Sequence, residues 1–318
     1  MPDLRTLETF FWVAQLGSFR RAAERLNTTQ PAVSVRIAGL EDELGTRLLD
    51  RGTRVATLTA KGRLLFDYAE RFLRLRAEMM DAVADPSALT GVVRLGVSET
   101  IVHTWLSGYI ERVHAGFPKV TLEIEVDVTP NLSAGILDGR LDLAFLLGPI
   151  NDPKATNLDL CRYPLAFAAS PRLDLGPGPV SLERLTRCPI ITYPKTTRPY
   201  MALRELLGAA GLIPRIYSSS SLSTIVRMTL DGIGVSVIPP VVIEGELSRG
   251  ELRLVEPEVS LPELAFTCSF GTTPDCSPVS PLARLACKMA EEDRLARAPV
   301  RLSDKRPTSR TMQNDNFR

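Results

Sequence analysis

Apolar positions recur at helical spacing three times in the first 44 residues, separated by short polar breaks. Leu4, Leu7, Phe10, Phe11 and Ala14 share the first stripe. Phe19, Ala22, Ala23 and Leu26 form the second, with Ser18 placed as its N-cap. Asn27 and Thr28 break the pattern. Thr28 or Thr29 then caps a third stripe of Val33, Ile37, Leu40 and Leu44, with Pro31 in the first turn, where its missing N–H is not needed. Two short apolar runs in RLLDRGTRVATLT follow, around Arg51, Gly52, Thr53 and Arg54, the pattern of a hairpin with a basic tip.

A helix pair alone fits many small domains. A preceding helix and a following wing make a DNA-binding module the better reading. Gln30, Ser34 and Arg36 project from the first turns of the third helix, off its apolar face, where they can hydrogen-bond base edges and phosphates in a major groove. The candidate DNA-contacting residues are Ser18, Arg20, Thr29, Gln30, Pro31, Ser34, Arg36, Arg51 and Arg54.

Thr59 can cap a long helix running to about residue 84. Leu65, Phe72 and Met79 recur every seven residues, and Tyr68, Leu75 and Ala82 recur three positions behind them. Arg71, Arg74, Arg76, Glu78 and Asp81 fill the faces between. The stripe predicts a dimerisation seam through Leu65, Tyr68, Phe72, Leu75 and Met79; packing on the helix's own domain is the rival.

Residues 84–91, ADPSALTG, end that helix. Beyond them short β runs alternate with helices. VVRLGV, VTLEIEVDV and LDLAFLL are strands, with a helix over 100–115 and a shorter one over 132–137. PLAFAAS, PIITY, RIYSS and GVSVIP follow as strands, with helices over 198–210 and 222–230. LAFTCSF returns as a strand and 279–294 closes as a helix. This texture predicts a mostly parallel α/β sheet, twice over.

Composition adds limits. The net charge is +1, but residues 18–65 hold nine Lys and Arg against five Asp and Glu, an excess of four where phosphates would be met. No apolar run spans a bilayer, and Asp3 with an amphipathic first helix does not suit a signal peptide, so a cytoplasmic protein with no membrane partner is expected. Five widely spaced cysteines without a CxxC argue against a disulfide framework or a zinc site, and no metal or other cofactor is expected. His103 and His114 fall in one predicted helix, eleven residues apart, which rules out a metal pair on adjacent turns. GxSxG, HExxH and P-loop motifs are absent, and Gly232-Ile-Gly234 lacks the third glycine of a dinucleotide fingerprint, so no enzyme and no catalytic residue is expected.

The opening resembles the LysR-type transcriptional regulators. The resemblance is carried by Leu4, Leu7, Phe10, Gly17, Ser18, Phe19, Ala22, Ala23, Leu26, Thr29, Gln30, Pro31, Ala32, Ser34, Ile37, Leu40, Glu41, Leu44, Gly45, Leu48, Leu49, Arg51, Leu58, Thr59 and Gly62, and later by GVSET, LDGRLDLAFLLGP and DGIGVSVIPP. It runs from about residue 4 to about 294. Two positions depart: Val35 stands where many members carry Arg, and Leu48-Leu49 where the wing commonly begins Leu-Phe.

The resemblance implies an α/β multidomain protein. A winged helix-turn-helix covers 1–58 and a linker helix 59–90. A two-lobed periplasmic-binding-protein-like effector domain covers 91–298, and 299–318 form a disordered tail. Lobe I is expected at about 91–162 and 268–298, and lobe II at about 163–267. It also implies a homodimer assembling to a homotetramer, a near-palindromic double-stranded operator, contact with RNA polymerase, and action at the bacterial nucleoid. The close cysteine pair that peroxide-sensing members use is missing from 195–215, which disfavours redox sensing. A solute-binding module without regulatory role would leave the first 60 residues unexplained.

In open α/β lobes, ligands bind beyond the carboxyl ends of the strands, near helix N-termini. Ser98 and Thr100, Thr129 and Asn131, Thr196, Thr197 and Arg198, and Ser219 and Ser220 occupy such positions. Each alone reads as an N-cap or turn residue. The resemblance brings the four sets to one cleft, where hydroxyls and helix starts suit a carboxylate effector. Arg198 is then its counter-charge, or else one half of a surface or hinge ion pair.

Overall fold

The computed structural model describes residues 3–50, 56–83, 89–176, 179–256, 261–271 and 279–297. Arg51, Arg54, Cys276, residues 84–88, the expected tail and the side chain of Ala82 lie outside the described residues.

Three helices open the chain, α1 (Leu4–Leu16), α2 (Phe19–Arg25) and α3 (Gln30–Leu44). Gly17 and Gly45 end α1 and α3 in the left-handed region, at φ 60° and 61°, and Asn27 (φ 48°) turns the chain between α2 and α3. The apolar stripes meet in one core containing Phe10, Phe11, Val13, Ala22, Val33 and Ile37. Two short antiparallel strands, β1 (Leu49–Asp50) and β2 (Thr57–Leu58), form the base of the wing. Glu41, buried near the end of α3, pins β1: its Oε1 accepts the N–H groups of Leu48 at 2.8 Å and Leu49 at 3.2 Å.

The long helix α4 (Ala60–Val83) is capped by Thr59, whose Oγ1 accepts the Gly62 N–H at 2.9 Å. The seam differs from expectation at one end. Leu65 packs on the helix-turn-helix core with Phe66, Ala69 and Leu73. The exposed stripe is Leu64, Tyr68, Phe72, Leu75, Met79 and Val83, stepping by three or four residues along one side. Sequence spacing cannot distinguish the two stripes, because both are apolar and they lie one residue apart at the start of the helix.

The remainder holds two five-stranded sheets with helices packed on them. The first sheet contains β3 (Gly91–Val97), β4 (Val120–Val126), β5 (Leu143–Leu147), β6 (Ala155–Pro164) and β12 (Glu263–Gly271), in the order β4-β3-β5-β12-β6. The second contains β7 (Ala166–Ala169), β8 (Ile190–Thr192), β9 (Ile216–Ser218), β10 (Val235–Ile238) and β11 (Arg253–Val255), in the order β11-β7-β10-β8-β9. In each sheet three neighbouring strands pair in parallel, a fourth (β12 in the first, β7 in the second) runs against them, and the edge strand pairs antiparallel to that one. The sheets are therefore mixed rather than mostly parallel as expected, with two parallel and two antiparallel pairings each. β6 and β12 cause this in the first sheet, because they carry the chain out of it and back. β12 stays in the first sheet along its whole length, so the expected lobe boundary at 268 falls inside a strand.

The expected 100–115 helix is two, α5 (Glu99–Val102) and α6 (Leu106–Gly116), with His103 at the C-cap of α5 and His114 in α6. The other helices that border the cleft are α7 (Thr129–Leu137), α9 (Arg198–Ala209) and α10 (Leu222–Leu230); α8 (Leu182–Leu185), α11 (Glu244–Ser248) and α12 (Val279–Arg297) complete the set. Among the described residues no helix is long and apolar enough to cross a membrane, and no group of acidic, His and Cys residues is arranged to hold a metal ion.

Candidate DNA-binding surface and effector cleft

The exposed half of α3 carries Gln30, Pro31 and Ser34, while Val33, Ile37 and Leu40 turn inward. Two hydroxyls in the candidate set are N-caps. Ser18 Oγ accepts the Arg21 N–H at 3.3 Å, and Thr29 Oγ1 accepts the Ala32 N–H at 3.4 Å. They fix the starts of α2 and α3 and so aim the residues behind them. Arg20 is exposed and reaches Glu24 at 3.0 Å along its own helix, a contact open to exchange for a phosphate. Arg36 is half-buried, and Val35 is 71% exposed beside Ser34. An apolar group so placed can touch a thymine methyl but cannot replace an arginine's bidentate hydrogen bonds.

The second site lies between the two sheets, a cavity of about 270 Å³ at the C-terminal ends of their parallel strands. From the first sheet it is lined by Ser98, Glu99 and Thr100 beyond β3, by Val126 at the end of β4 and residues 127–129 beyond it, and by Leu147 at the end of β5. Leu264 and Phe266 of β12 supply an apolar floor. From the second sheet come Tyr193, Thr197 and Pro199 beyond β8, and Ser220 and Ser221 beyond β9.

Three polar contacts join the lobes across the cavity. Glu99 Oε2 accepts the Leu222 N–H at the start of α10. Thr100 Oγ1 and Tyr193 Oη are 3.5 Å apart. Arg198 donates to the Gly148 carbonyl at 2.7 Å. Burial pushes the Tyr193 hydroxyl well above the usual phenol range, with the Glu99 carboxylate adding to the shift, so it meets a ligand as a neutral donor or acceptor.

Ser98, Thr100, Thr129, Thr197 and Ser220 of the expected set therefore come together, and Thr196, Arg198 and Ser219 do not line the cavity. Thr196 is exposed. Ser219 Oγ accepts the Ser221 N–H at 3.1 Å inside its own turn, which leaves Ser221 facing the cleft. Arg198 serves as a tie between lobes rather than as a lining cation. Thr129 is already engaged, its Oγ1 accepting the Leu147 N–H at 3.2 Å. Glu99, Asp127 and Tyr193 also line the cavity, outside the expected set; in the sequence only their adjacency to Ser98 and to the ends of β4 and β8 points to them.

Two family models match the chain. The bacterial regulatory helix-turn-helix protein, lysR family, matches residues 4–63, and the LysR substrate binding domain matches residues 86–273. The HTH-type transcriptional regulator CzcR of Bacillus cereus is 31% identical over 240 residues, covering 74% of this chain and 80% of that one. A probable hydrogen peroxide-inducible genes activator of Streptomyces viridosporus is 30% identical over 255 residues, covering 78% and 81%. In three dimensions, full-length OxyR from Pseudomonas aeruginosa superposes with a TM-score of 0.62 at 22% identity, covering 91% of this chain and 94% of that one, a likeness of fold.

The chain belongs to the LysR family of transcriptional regulators. It is a DNA-binding regulator with an effector-binding domain, not an enzyme.

Proposed function

We propose that operator binding by this regulator is modulated by a small organic acid held in the cleft between the two sheets. The cavity at the strand ends carries this reading. α9 begins there behind Thr197, whose side chain makes no cap bond, so the helix start is available to a carboxylate. The ligand shifts the DNA-binding geometry only by binding one arrangement of the lobes better than another. The three ties across the cleft are the contacts it would have to rearrange.

On this reading α3 enters the major groove of a near-palindromic double-stranded operator, with Gln30, Ser34 and Arg36 at the bases and Arg20, Arg51 and Arg54 at phosphates. The exposed stripe of α4 pairs two chains, and two dimers form a homotetramer. RNA polymerase is the partner in activation, at the nucleoid of the cytoplasm.

A footprint on the DNA flanking the gene, with and without a panel of organic acids, tests the proposal. A protected region that shortens or shifts with one compound is the expected result, and Thr100→Val removes that response. A response surviving in the variant would misplace the cleft; protection indifferent to every compound would overturn the organic-acid effector.

A redox-sensing regulator of the same fold is the second reading, favoured by the likeness to OxyR and to the peroxide-inducible activator. Two of the five thiols oppose it. Cys161 and Cys268 are buried, and burial pushes the Cys161 thiol up to about 11 and the Cys268 thiol well above its ordinary value. A peroxide sensor needs an accessible thiolate.

A further inference from the structure

Glu99 and Asp127 line the cavity, and no Lys, Arg or His among the described residues does so. The two carboxyl groups stand at the ends of neighbouring parallel strands. Val97 of β3 pairs with Val126 of β4, and the Asp127 N–H donates to the Val97 carbonyl at 3.3 Å. Each carboxyl group has polar partners, and none of those partners is a cation. Glu99 accepts the Leu222 N–H; Asp127 accepts the Val128 N–H at 2.7 Å and the Asn131 side-chain amide at 2.9 Å. Arg198, the cation nearest in sequence to the cleft wall, is engaged by the Gly148 carbonyl.

Ser98 immediately precedes Glu99, at the end of β3. It is 9% exposed, and its Oγ is buried with no hydrogen-bond partner although the residue lines the cavity. Buried hydroxyls are ordinarily satisfied, so this oxygen marks a place for a ligand's polar group. The opposite wall has the other polarity, with the uncapped start of α9 behind Thr197.

We propose that the effector is zwitterionic, an amino-acid-like molecule. Its ammonium group lies between Glu99 and Asp127, within reach of Ser98 Oγ, and its carboxylate lies against the start of α9. The proposal rests on the reading of this cleft as the effector site and narrows the organic acid to one that also carries a cation. A plain carboxylate would bring a third negative group to a cavity that already holds two. An ammonium group is donor-only, with three N–H groups to share among the two carboxylates and Ser98 Oγ. Because Glu99 and α9 belong to different sheets, one such molecule spans the cleft.

The test uses the purified full-length protein. Thermal shift and calorimetry are run with the proteinogenic L-amino acids, with the amine each gives on decarboxylation, and with the carboxylic acid each gives on replacing the amino group by hydrogen. The expected result is that at least one amino acid binds and that its deaminated acid binds at least about tenfold more weakly. Glu99→Gln and Asp127→Asn keep an oxygen for the backbone N–H groups and remove the charge, so each should weaken the amino acid by about tenfold and should strengthen, not weaken, binding of the acid. The unliganded melting temperature of each variant reports whether it is folded.

The zwitterion is overturned if no ammonium-bearing compound binds, if the deaminated acid binds as well as the amino acid, or if neither substitution affects the amino acid. Binding of plain acids alone would leave the cleft reading standing and remove only the ammonium. Binding of the amines alone would remove the carboxylate half, and the organic-acid reading with it.

Discussion

Arg25, in the second helix of the DNA-binding unit, forms an ion pair with Asp142, the residue before β5 of the effector-binding domain. Both side chains are nearly buried, 10% and 4% exposed. The Arg25 guanidinium also lies 4.4 Å over the Trp12 ring and donates to the Gly139 carbonyl at 3.4 Å. Arg21 donates to the Asp138 carbonyl at 2.9 Å. Asp142 in turn accepts the N–H of Arg94, a residue of β3, at 2.8 Å. The pair thus joins α2 to the sheet whose strand ends form the cleft.

Removing one partner of such a pair leaves a buried charge without its counter-ion, which costs about 3 kcal/mol or more. Arg25→Met and Asp142→Asn should each lower stability by about that amount in denaturant titration. The double variant should lose much less than the sum, because no lone charge remains. Additive losses would show that the two residues do not stabilise each other.

Ser34 is exposed on α3, beyond the caps that orient the helix. Ser34→Arg should abolish specific operator binding, measured by gel shift, while light scattering shows an unchanged oligomer. Glu41 offers the contrast. Glu41→Ala strips two backbone N–H groups of their acceptor, at roughly 2 kcal/mol, and should destabilise the helix-turn-helix core itself.

Phe72 is 55% exposed, whereas Leu65 packs into the helix-turn-helix core. Phe72→Glu should shift the protein toward monomer in light scattering with little change in melting temperature per chain. Leu65→Glu should instead lower the melting temperature. A dimer undisturbed by Phe72→Glu would move the pairing surface away from this stripe.

Cys161, with its thiol near 11, should have roughly one thiol in three thousand ionised at pH 7.5. Raising the pH toward 11 increases the thiolate, so iodoacetamide labelling of native protein, followed by peptide mass spectrometry, should be slow at neutral pH and accelerate with pH. Cys268 should label more slowly than the half-buried Cys188. Rapid labelling of Cys161 at neutral pH, or a footprint altered by peroxide, would revive redox sensing.

Much of this molecule follows from local pattern. The helix-turn-helix was legible because three apolar stripes, two capping hydroxyls and a basic hairpin tip each require only near neighbours in the chain. The strand ends bearing Ser98, Thr100 and Thr197 were legible for the same reason, since hydroxyls gather where strands give way to helices. What the tertiary structure decided is everything that depends on the partner across a gap. It turned Leu65 inward and Leu64 outward on one helix, and made β12 an antiparallel member of the first sheet. It tied Arg198 to a carbonyl from the other lobe, and left Glu99 and Asp127 as the charges in the cleft. It also brought Arg25 to Asp142, 117 residues away in the chain. Periodicity says that a side chain lies on a face; only packing of the whole chain says what that face meets.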